Sequence, residues 1–246
     1  TEYDINSEVG LKKYKVFREN VKEITEDNIK AGAHIYSINK FTDLTQEEFA
    51  SKYLMKPEIV SLHMNKYGKS NDNIKPVSVG AGPWEEVDWR PFLNPVRDQG
   101  VCGSCWSFAA TAAVEGGYNI LKSPSLYAFS QQYLIDCDDL DNACSGGWPT
   151  NTFTWLKGNG VVNANEITYQ GKITSCVSTN KKKALNLVKD FKYCEKDCAE
   201  DKWRELISKG PIVVGMDAND SKLKSYGPKV DGLNTAYVPG LKQCVK

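Results

Sequence analysis

One cysteine, Cys105, has the sequence context of a thiol nucleophile. The apolar run at residues 106–114 predicts a buried helix, and Gly100 and Gly103 permit a tight loop just before it. The N-terminus of a helix offers unpaired N–H groups and the positive end of the helix dipole, and both favour the thiolate over the thiol. Because the thiolate is the reacting species, the sequence predicts that Cys105 begins this helix and acts as a nucleophile.

A second cysteine, Cys102, lies three residues earlier and leaves other interpretations open. Such a pair also occurs in disulfides, in metal clips and in thiol oxidoreductases. A zinc site would need further ligands, yet both histidines, His34 and His63, lie far upstream. An oxidoreductase would need Cys102 to cycle between bridges, so a Cys102 locked to Cys144 would reject that activity.

Bulk composition excludes several classes of protein. No apolar run approaches the length needed to cross a bilayer. The 31 basic and 31 acidic residues balance, which gives no electrostatic reason to expect a nucleic acid or a membrane surface as partner. Eight cysteines favour an oxidising compartment, so we expect a lysosomal, vacuolar or secreted protein. The glycosylation sequon at Asn219 agrees with that setting, and no metal or cofactor is implied.

The elements that must position Cys105 follow a long N-terminal segment of different character. An apolar stripe predicts a first helix there: Tyr14, Phe17, Val21 and Ile24. Thr45 and Glu48 form a capping-box pattern that opens a second helix, and Pro57 limits its extent. Residues 58–83 are polar and predict an irregular, exposed linker. From Trp84 onward the tryptophans, the cysteines and most glycines appear, so we divide the chain into residues 1–83 and 84–246.

The octet Gln99–Trp106 contains the Cys-Gly-Ser-Cys-Trp signature of papain-like cysteine proteases, and the chain resembles a proenzyme of their cathepsin L-like branch. The resemblance implies an α+β fold with an α-helical inhibitory prodomain and a two-lobed peptidase domain. The helical left lobe would be complete and the β-rich right lobe incomplete. The reaction implied is peptide-bond hydrolysis through a thioester on Cys105. The side-chain amide of Gln99 and the backbone N–H of Cys105 would stabilise the oxyanion.

The segment from Cys144 to Pro149 resembles the substrate-binding loop of the family. Gly146 and Gly147 would let a peptide backbone approach closely and pair in β fashion. Trp148 and Pro149 would line the pocket for the second residue before the scissile bond. Residues 210–218 resemble the first core strand of the right lobe, where Gly215 would leave that pocket roomy enough for a bulky apolar or aromatic side chain.

The resemblance also implies a pattern of disulfides. Its pairs are Cys102–Cys144 and Cys137–Cys176. Cys105 would remain free. Cys194 and Cys198 are additions to the family pattern, and a local bridge between them is predicted if the geometry allows it. Residues 129–137 resemble the second helix of the left lobe, with Ser130 as its N-cap.

Residues 1–83 resemble the inhibitory prodomain of the cathepsin L-like branch. The residues that fit its long-helix motif are Phe17, Asn20, Ile24 and Asn28. Those that fit its short motif are Asn39, Phe41 and Asp43. Lys13 and Val9 depart from the long-helix motif. The resemblance implies that this prodomain packs on the right lobe and passes through the cleft in the direction opposite to substrate, until a cut near Gly80 ends inhibition.

A nucleophile of this family needs a histidine as base and an asparagine that orients it. Both are expected C-terminal to the nucleophile, shortly after a cysteine that Cys244 resembles, whereas His34 and His63 precede it. Two explanations remain open. In the first, this is an ordinary protease whose histidine and asparagine lie outside these residues, for example on a second chain. In the second, the protein is a catalytically incomplete papain-fold binding or scaffold protein. The presence of Gln99 and of the loop with Gly146 and Gly147, called the glycine loop below, favours the first explanation.

Overall fold

The computed structural model describes residue 4 and residues 6–67, 87–122, 124–176, 183–193 and 199–227. The chain forms two compact units, one of Thr1–Leu54 with Met216–Lys246 and one of Met55–Gly215. A search of the described helices finds none with the length and apolar character needed to span a bilayer.

The first unit begins with the long helix α1 (Glu8–Ala31). The Ser7 hydroxyl caps it by accepting from the N–H of Gly10 at 3.0 Å. Gly32 ends it with φ of 62°, a left-handed conformation that glycine adopts without strain. Of the predicted apolar stripe, Ile24 is buried, whereas Tyr14 remains exposed. The helix was therefore predicted correctly, but its stripe is only partly covered.

Helix α2 (Gln46–Tyr53) opens with the capping box that the sequence predicts. The N–H of Glu48 donates to Thr45 Oγ1 at 3.2 Å, and the N–H of Thr45 donates to Glu48 Oε2 at 3.0 Å. Lys13 of α1 donates to the same carboxylate oxygen at 2.6 Å, which ties the two helices together. The ring of Phe41 packs edge-on against Phe49 and so anchors the short motif to α2.

Two asparagines of the long-helix motif bind the backbone that follows α1. Asn28 accepts from the N–H of Tyr36 at 2.9 Å and donates to its carbonyl at 2.8 Å. Asn20 donates to the carbonyls of Thr42 and Leu44 at 2.7 and 3.0 Å. These bonds satisfy backbone groups in a segment that has no helix or sheet of its own, and so they fix its path.

A short helix, α8 (Ser221–Lys224), belongs to the same unit. Asn39 of the short motif donates its amide to the carbonyl of Lys224 at 2.9 Å. The side chain of Lys224 is buried, and its ammonium donates to the carbonyl of Leu44 at 3.0 Å. The N–H of Ser37 donates to the carbonyl of Ser225 at 2.9 Å, next to a β-bridge. Residues near the start and near position 224 of the chain thus fold together.

Two further predicted residues lie in this unit. Asp43 uses its backbone carbonyl, which accepts from Lys13 Nζ at 3.2 Å. Asn219, in the glycosylation sequon, is exposed, and its side-chain oxygen accepts from Gln46 Nε2 at 2.9 Å. An attached glycan would therefore emerge beside α2.

The second unit is built around α4 (Cys105–Lys122). Its other helices are α3 (Pro57–Tyr67), α5 (Gln131–Cys137), α6 (Pro149–Asn159) and α7 (Glu200–Lys209), with 3-10 turns at Arg90–Phe92 and Ala143–Ser145. Helix α4 contacts α5, α6 and the first of these turns. The core cluster comprises Trp106, Phe129, Tyr133, Leu134, Trp155, Leu156, Val161, Val162 and Val188.

A buried ion pair fixes the middle of α4. Glu115 is 2% exposed, and its carboxylate accepts from Arg97 Nη1 at 2.9 Å and from Asn94 Nδ2 at 2.9 Å. The N–H of Phe129 adds a third bond at 2.7 Å. Because a buried charge is costly unless it is paired, these donors explain how an acid can face the core. They also tie the loop before Cys105 to its helix.

Two predictions about secondary structure need correction. The segment 58–83 was predicted to be irregular, but α3 occupies Pro57–Tyr67. Proline is favoured in the first helical turn because its fixed φ suits the helix and its missing N–H is not needed there. Residues 210–218 were predicted to form a strand, but within the described part of the chain they pair with no other strand. A strand needs a neighbour for its backbone groups, which sequence pattern alone does not supply.

Candidate active site

The predicted nucleophile lies where the sequence places it. Cys105 is the first residue of α4, and its thiol is free. Burial raises the pKa of this thiol, while the N–H groups of Trp106 and Cys105 lower it to a smaller extent. The helix N-terminus therefore acts in the expected direction, but desolvation outweighs it. A stable thiolate here needs an additional positive charge beside the sulfur.

Disulfides lock the loops on either side of the nucleophile. Cys102 is bonded to Cys144, and the N–H of Gly103 donates to the carbonyl of Cys144 at 3.0 Å. A Cys102 held in this bridge contradicts the oxidoreductase interpretation and leaves no thiolate for a metal clip. Cys137 is bonded to Cys176. The proposed bridge between Cys194 and Cys198 lies outside the described residues, as do Gly80 and Cys244.

The predicted oxyanion donor, Gln99, lies in the turn before Cys102. Its Nε2 donates to the carbonyl of Cys102 at 2.9 Å. The hydroxyl of Tyr169 donates to the backbone carbonyl of Gln99 at 2.6 Å and lies 3.0 Å from Ser104 Oγ. Sequence reasoning missed Tyr169 because it is far along the chain and belongs to no motif. It fixes the backbone that carries the amide.

The glycine loop and the nucleophile helix meet at Trp106. Its indole N–H donates to the carbonyl of Ala143 at 2.9 Å. Gly147 lies against the indole so closely that a Cβ there would be 2.6 Å from Trp106 Cδ2 and 2.8 Å from Asp141 Cγ. A side chain at position 147 would therefore clash, whereas the predicted approach of a substrate backbone stays a prediction. The reason seen here is packing against the residue that follows Cys105.

Residues from the N-terminal part of the chain cover the other side of this loop. Gly146 has φ of 122°, and a Cβ there would be 2.5 Å from Met55 Cγ and 3.4 Å from Ile59 Cδ1. Met55 and the first turn of α3 thus occupy the face of Gly146 on which a peptide backbone was expected.

The remaining predicted pocket residues lie beside this loop. Pro149 is the first residue of α6, which Trp148 precedes. A Cβ on Gly215 would be 3.8 Å from Trp148 Cη2, an ordinary contact distance, so Gly215 faces the indole of Trp148. Trp148 and Gly215 are brought together although their numbers differ by 67, which no local pattern could reveal.

Two aspartates, Asp138 and Asp141, lie next to the segment Gly146–Trp148. Asp141 accepts from the backbone N–H of Trp148 at 2.8 Å and from Thr152 Oγ1 at 2.9 Å. Asp138, 6% exposed, lies beside it. The sequence analysis gave these residues no role, although three aspartates between Cys137 and Cys144 were a visible signal. Across the described residues, no group of three or more His, Cys, Asp or Glu side chains could hold a metal ion.

Comparison with known proteins agrees with this geometry. Residues 84–233 match the papain family of cysteine proteases, and residues 2–49 match the cathepsin propeptide inhibitor domain. Cysteine proteinase 3 of Entamoeba histolytica is 35% identical over 219 residues, which cover 88% of this chain and 64% of that protein. A cathepsin L-like proteinase of Phaedon cochleariae is 31% identical over 224 residues, which cover 87% of this chain and 65% of that protein.

Solved structures of proforms match as well. The proform of Amb a 11, a cysteine protease and pollen allergen of ragweed, superposes with a TM-score of 0.73 at 29% identity, covering 92% of this chain and 69% of that one. The curated relatives are longer, and the chain spans about two thirds of their length (64–65%). The described part of the chain is rich in helices and contains isolated β-bridges, which agrees with part of an α+β papain fold. The chain belongs to the papain family of cysteine proteases and carries the inhibitory propeptide domain of its cathepsins.

Proposed function

We propose that this chain is the proenzyme form of a cysteine endopeptidase that hydrolyses peptide bonds through a thioester on Cys105. The observation that carries the proposal is the free thiol at the start of α4, joined through Trp106 to the Gly146–Gly147 loop. A peptide laid along that loop would present its carbonyl carbon to the sulfur. The Gln99 amide and the N–H of Cys105 would then donate to the oxyanion.

The reaction begins when the thiolate of Cys105 attacks the carbonyl carbon. The tetrahedral intermediate collapses, the amine leaves with a proton, and water hydrolyses the thioester. Burial raises the pKa of Cys105, so the attack needs a base that takes the thiol proton. The positive charge that this base then carries stabilises the thiolate beside it. In this family that base is a histidine. Neither His34 nor His63 follows the nucleophile, so we assign the role to neither.

In the proenzyme we propose that residues 1–83 inhibit residues 84–246. Met55 and Ile59 lie over Gly146 and would exclude a substrate backbone from it. Cleavage after them would uncover the loop. The propeptide match and the eight cysteines support a lysosomal, vacuolar or secreted location. Gly215 has no side chain where it faces the indole of Trp148, which supports a preference for a bulky apolar or aromatic residue in the pocket next to Trp148.

A second candidate function is a catalytically incomplete papain-fold protein that binds peptides without cutting them, and the raised pKa of the Cys105 thiol supports it. One experiment separates the two. The protein and its Cys105→Ala variant are given fluorogenic peptides after removal of the propeptide, and a peptidyl epoxide is used to label the thiol. Hydrolysis and a Cys105 adduct, both lost in the variant, support the protease. Peptide binding without hydrolysis or adduct supports the binding protein.

A further inference from the structure

The acids beneath the glycine loop carry an inference beyond the nucleophile. Asp138 is 6% exposed, and its Oδ1 accepts from the N–H of Leu140 at 2.9 Å. Its Oδ2 is buried and, among the described residues, no donor reaches it. A buried carboxylate oxygen without a donor is costly, so this atom needs an explanation.

The neighbour of Asp138 is another carboxyl group, that of Asp141. Two carboxylates are both acceptors and cannot bond to each other unless one of them carries a proton. Asp141 already accepts from Trp148, Asn151 and Thr152. Its bonds suit the ionised form, so the proton belongs on Asp138, whose Oδ2–H then donates to Asp141.

We propose that Asp138 and Asp141 share one proton, and that this proton holds the substrate-facing segment Gly146–Trp148 in place. The connection is short. Asp141 binds the N–H of Trp148 at 2.8 Å, and the next residue, Asn142, donates its N–H to the carbonyl of Gly146 at 2.9 Å. Anything that moves the turn of residues 138–142 therefore moves the loop.

The surroundings hold this proton tightly. Burial, followed by the charge of Asp141, raises the pKa of Asp138 to about 8. Exposed Asp139, on the same turn, adds a second negative charge. From α6, the groups that face Asp141 are the neutral side chains of Asn151 and Thr152. None of these named neighbours carries a positive charge that would stabilise the ionised form of Asp138.

Loss of the proton releases it to water and leaves two adjacent carboxylates. Their repulsion, and the need of the Asp138 charge for water, favour opening of the turn. An unfolded aspartate ionises near 3.8, whereas Asp138 in the folded chain ionises at about 8. The folded state thus binds more protons across that range, so stability is highest at its acid end and falls as the pH rises through it.

Hydrogen exchange of the whole chain tests the proposal without any requirement for catalysis. The protection of the Trp148 amide, corrected for the intrinsic rate, is followed from about pH 6 to pH 9. We expect it to fall as the pH rises from 6 to about 8, by up to tenfold per pH unit, and to level off above that. In Asp138→Asn the amide N–H replaces the shared proton, so protection should stay level. Asp139→Asn, at the exposed neighbour, should keep the fall and shift it only slightly, because its charge is the smallest of the causes that raise the pKa of Asp138.

Three results would overturn the inference. One is the same pH profile in Asp138→Asn and the unchanged protein. Another, for which no variant needs to fold, is a carbon-13 titration in which the Asp138 carboxyl ionises at an ordinary aspartate pKa. The third is protection restored at alkaline pH by millimolar calcium, which would make the pair a cation site.

One consequence rests on the proposed function. If the chain is part of a peptidase, KM for peptides should rise as the pH increases from 6 towards about 8 in the unchanged enzyme and not in Asp138→Asn. If hydrogen exchange behaves as expected but the protein cuts no peptide, only the peptidase proposal is rejected. The proposal of a shared proton is then retained.

Discussion

A methyl group added at Gly147 tests whether the glycine loop is held by its contact with the nucleophile helix. In Gly147→Ala the new Cβ would lie 2.6 and 2.8 Å from Trp106 Cδ2 and Cε2 and 2.8 Å from Asp141 Cγ. None of these atoms is the free end of a flexible chain. Trp106 is 1% exposed and Asp141 is held by hydrogen bonds. The loop or the indole must therefore shift by roughly an ångström to reach normal carbon contacts of about 3.5 Å.

The size of the effect follows from two opposing terms. Forcing an extra carbon into a packed site costs about 1–3 kcal/mol. Restricting the unfolded chain by replacing glycine with alanine returns about 0.4–1 kcal/mol. Gly147 is not among the residues with positive φ, so no backbone strain is added. We expect a net loss of about 1–2 kcal/mol in the free energy of unfolding, the difference between these terms.

Denaturant unfolding followed by tryptophan fluorescence measures this loss. The tryptophans in the described part of the chain all lie within the unit Met55–Gly215, so their fluorescence reports on that unit. Gly117→Ala is the matched control, because no atom lies within 4 Å of a Cβ placed there and the residue is in the middle of α4. The control should gain about 0.5–1 kcal/mol. If Gly147→Ala were as stable as Gly117→Ala, the packing argument would be refuted.

Three further changes probe other contacts. Tyr169→Phe removes the donor to the Gln99 carbonyl and should lower kcat of an active enzyme about tenfold with little change in KM. A tenfold change corresponds to about 1.4 kcal/mol between the transition states of the variant and the unchanged enzyme. An unchanged kcat would mean that Gln99 is held without the Tyr169 hydroxyl. Glu115→Gln breaks the buried pair with Arg97 and should cost about 3 kcal/mol in fluorescence-detected unfolding. Lys224→Met removes the buried donor to the Leu44 carbonyl and should lower the melting temperature of the first unit in calorimetry, at a cost of about 1–2 kcal/mol. The unfolding transition detected by tryptophan fluorescence should stay unchanged.

Local patterns were enough for several elements of this chain. The capping box at Thr45, the N-cap at Ser130 and the helix that starts at Cys105 were all predicted and are present. Each depends on side chains and backbone groups within a few residues of one another, so the sequence carries the whole cause. Helix α3 was missed because the polar composition of residues 58–83 as a whole outweighed the start signal of Pro57.

The family signature extended the prediction from elements to a site. It named Cys105, Gln99 and the glycine loop, and it implied the bridge between Cys102 and Cys144 that the structure contains. The roles of these residues in catalysis remain proposals. The signature also suggested a strand at residues 210–218, which has no pairing partner in the described part of the chain. A strand depends on a neighbour, and the pattern of one segment cannot provide it.

Tertiary structure decided what surrounds the nucleophile. The sequence determined that a cysteine begins a helix, which favours the thiolate. Folding buried that cysteine, so the pKa of Cys105 rises. Folding also brought the hydroxyl of Tyr169 to the carbonyl of Gln99. Burial and the approach of distant groups depend on how the whole chain packs, and for that reason no spacing in the sequence revealed them.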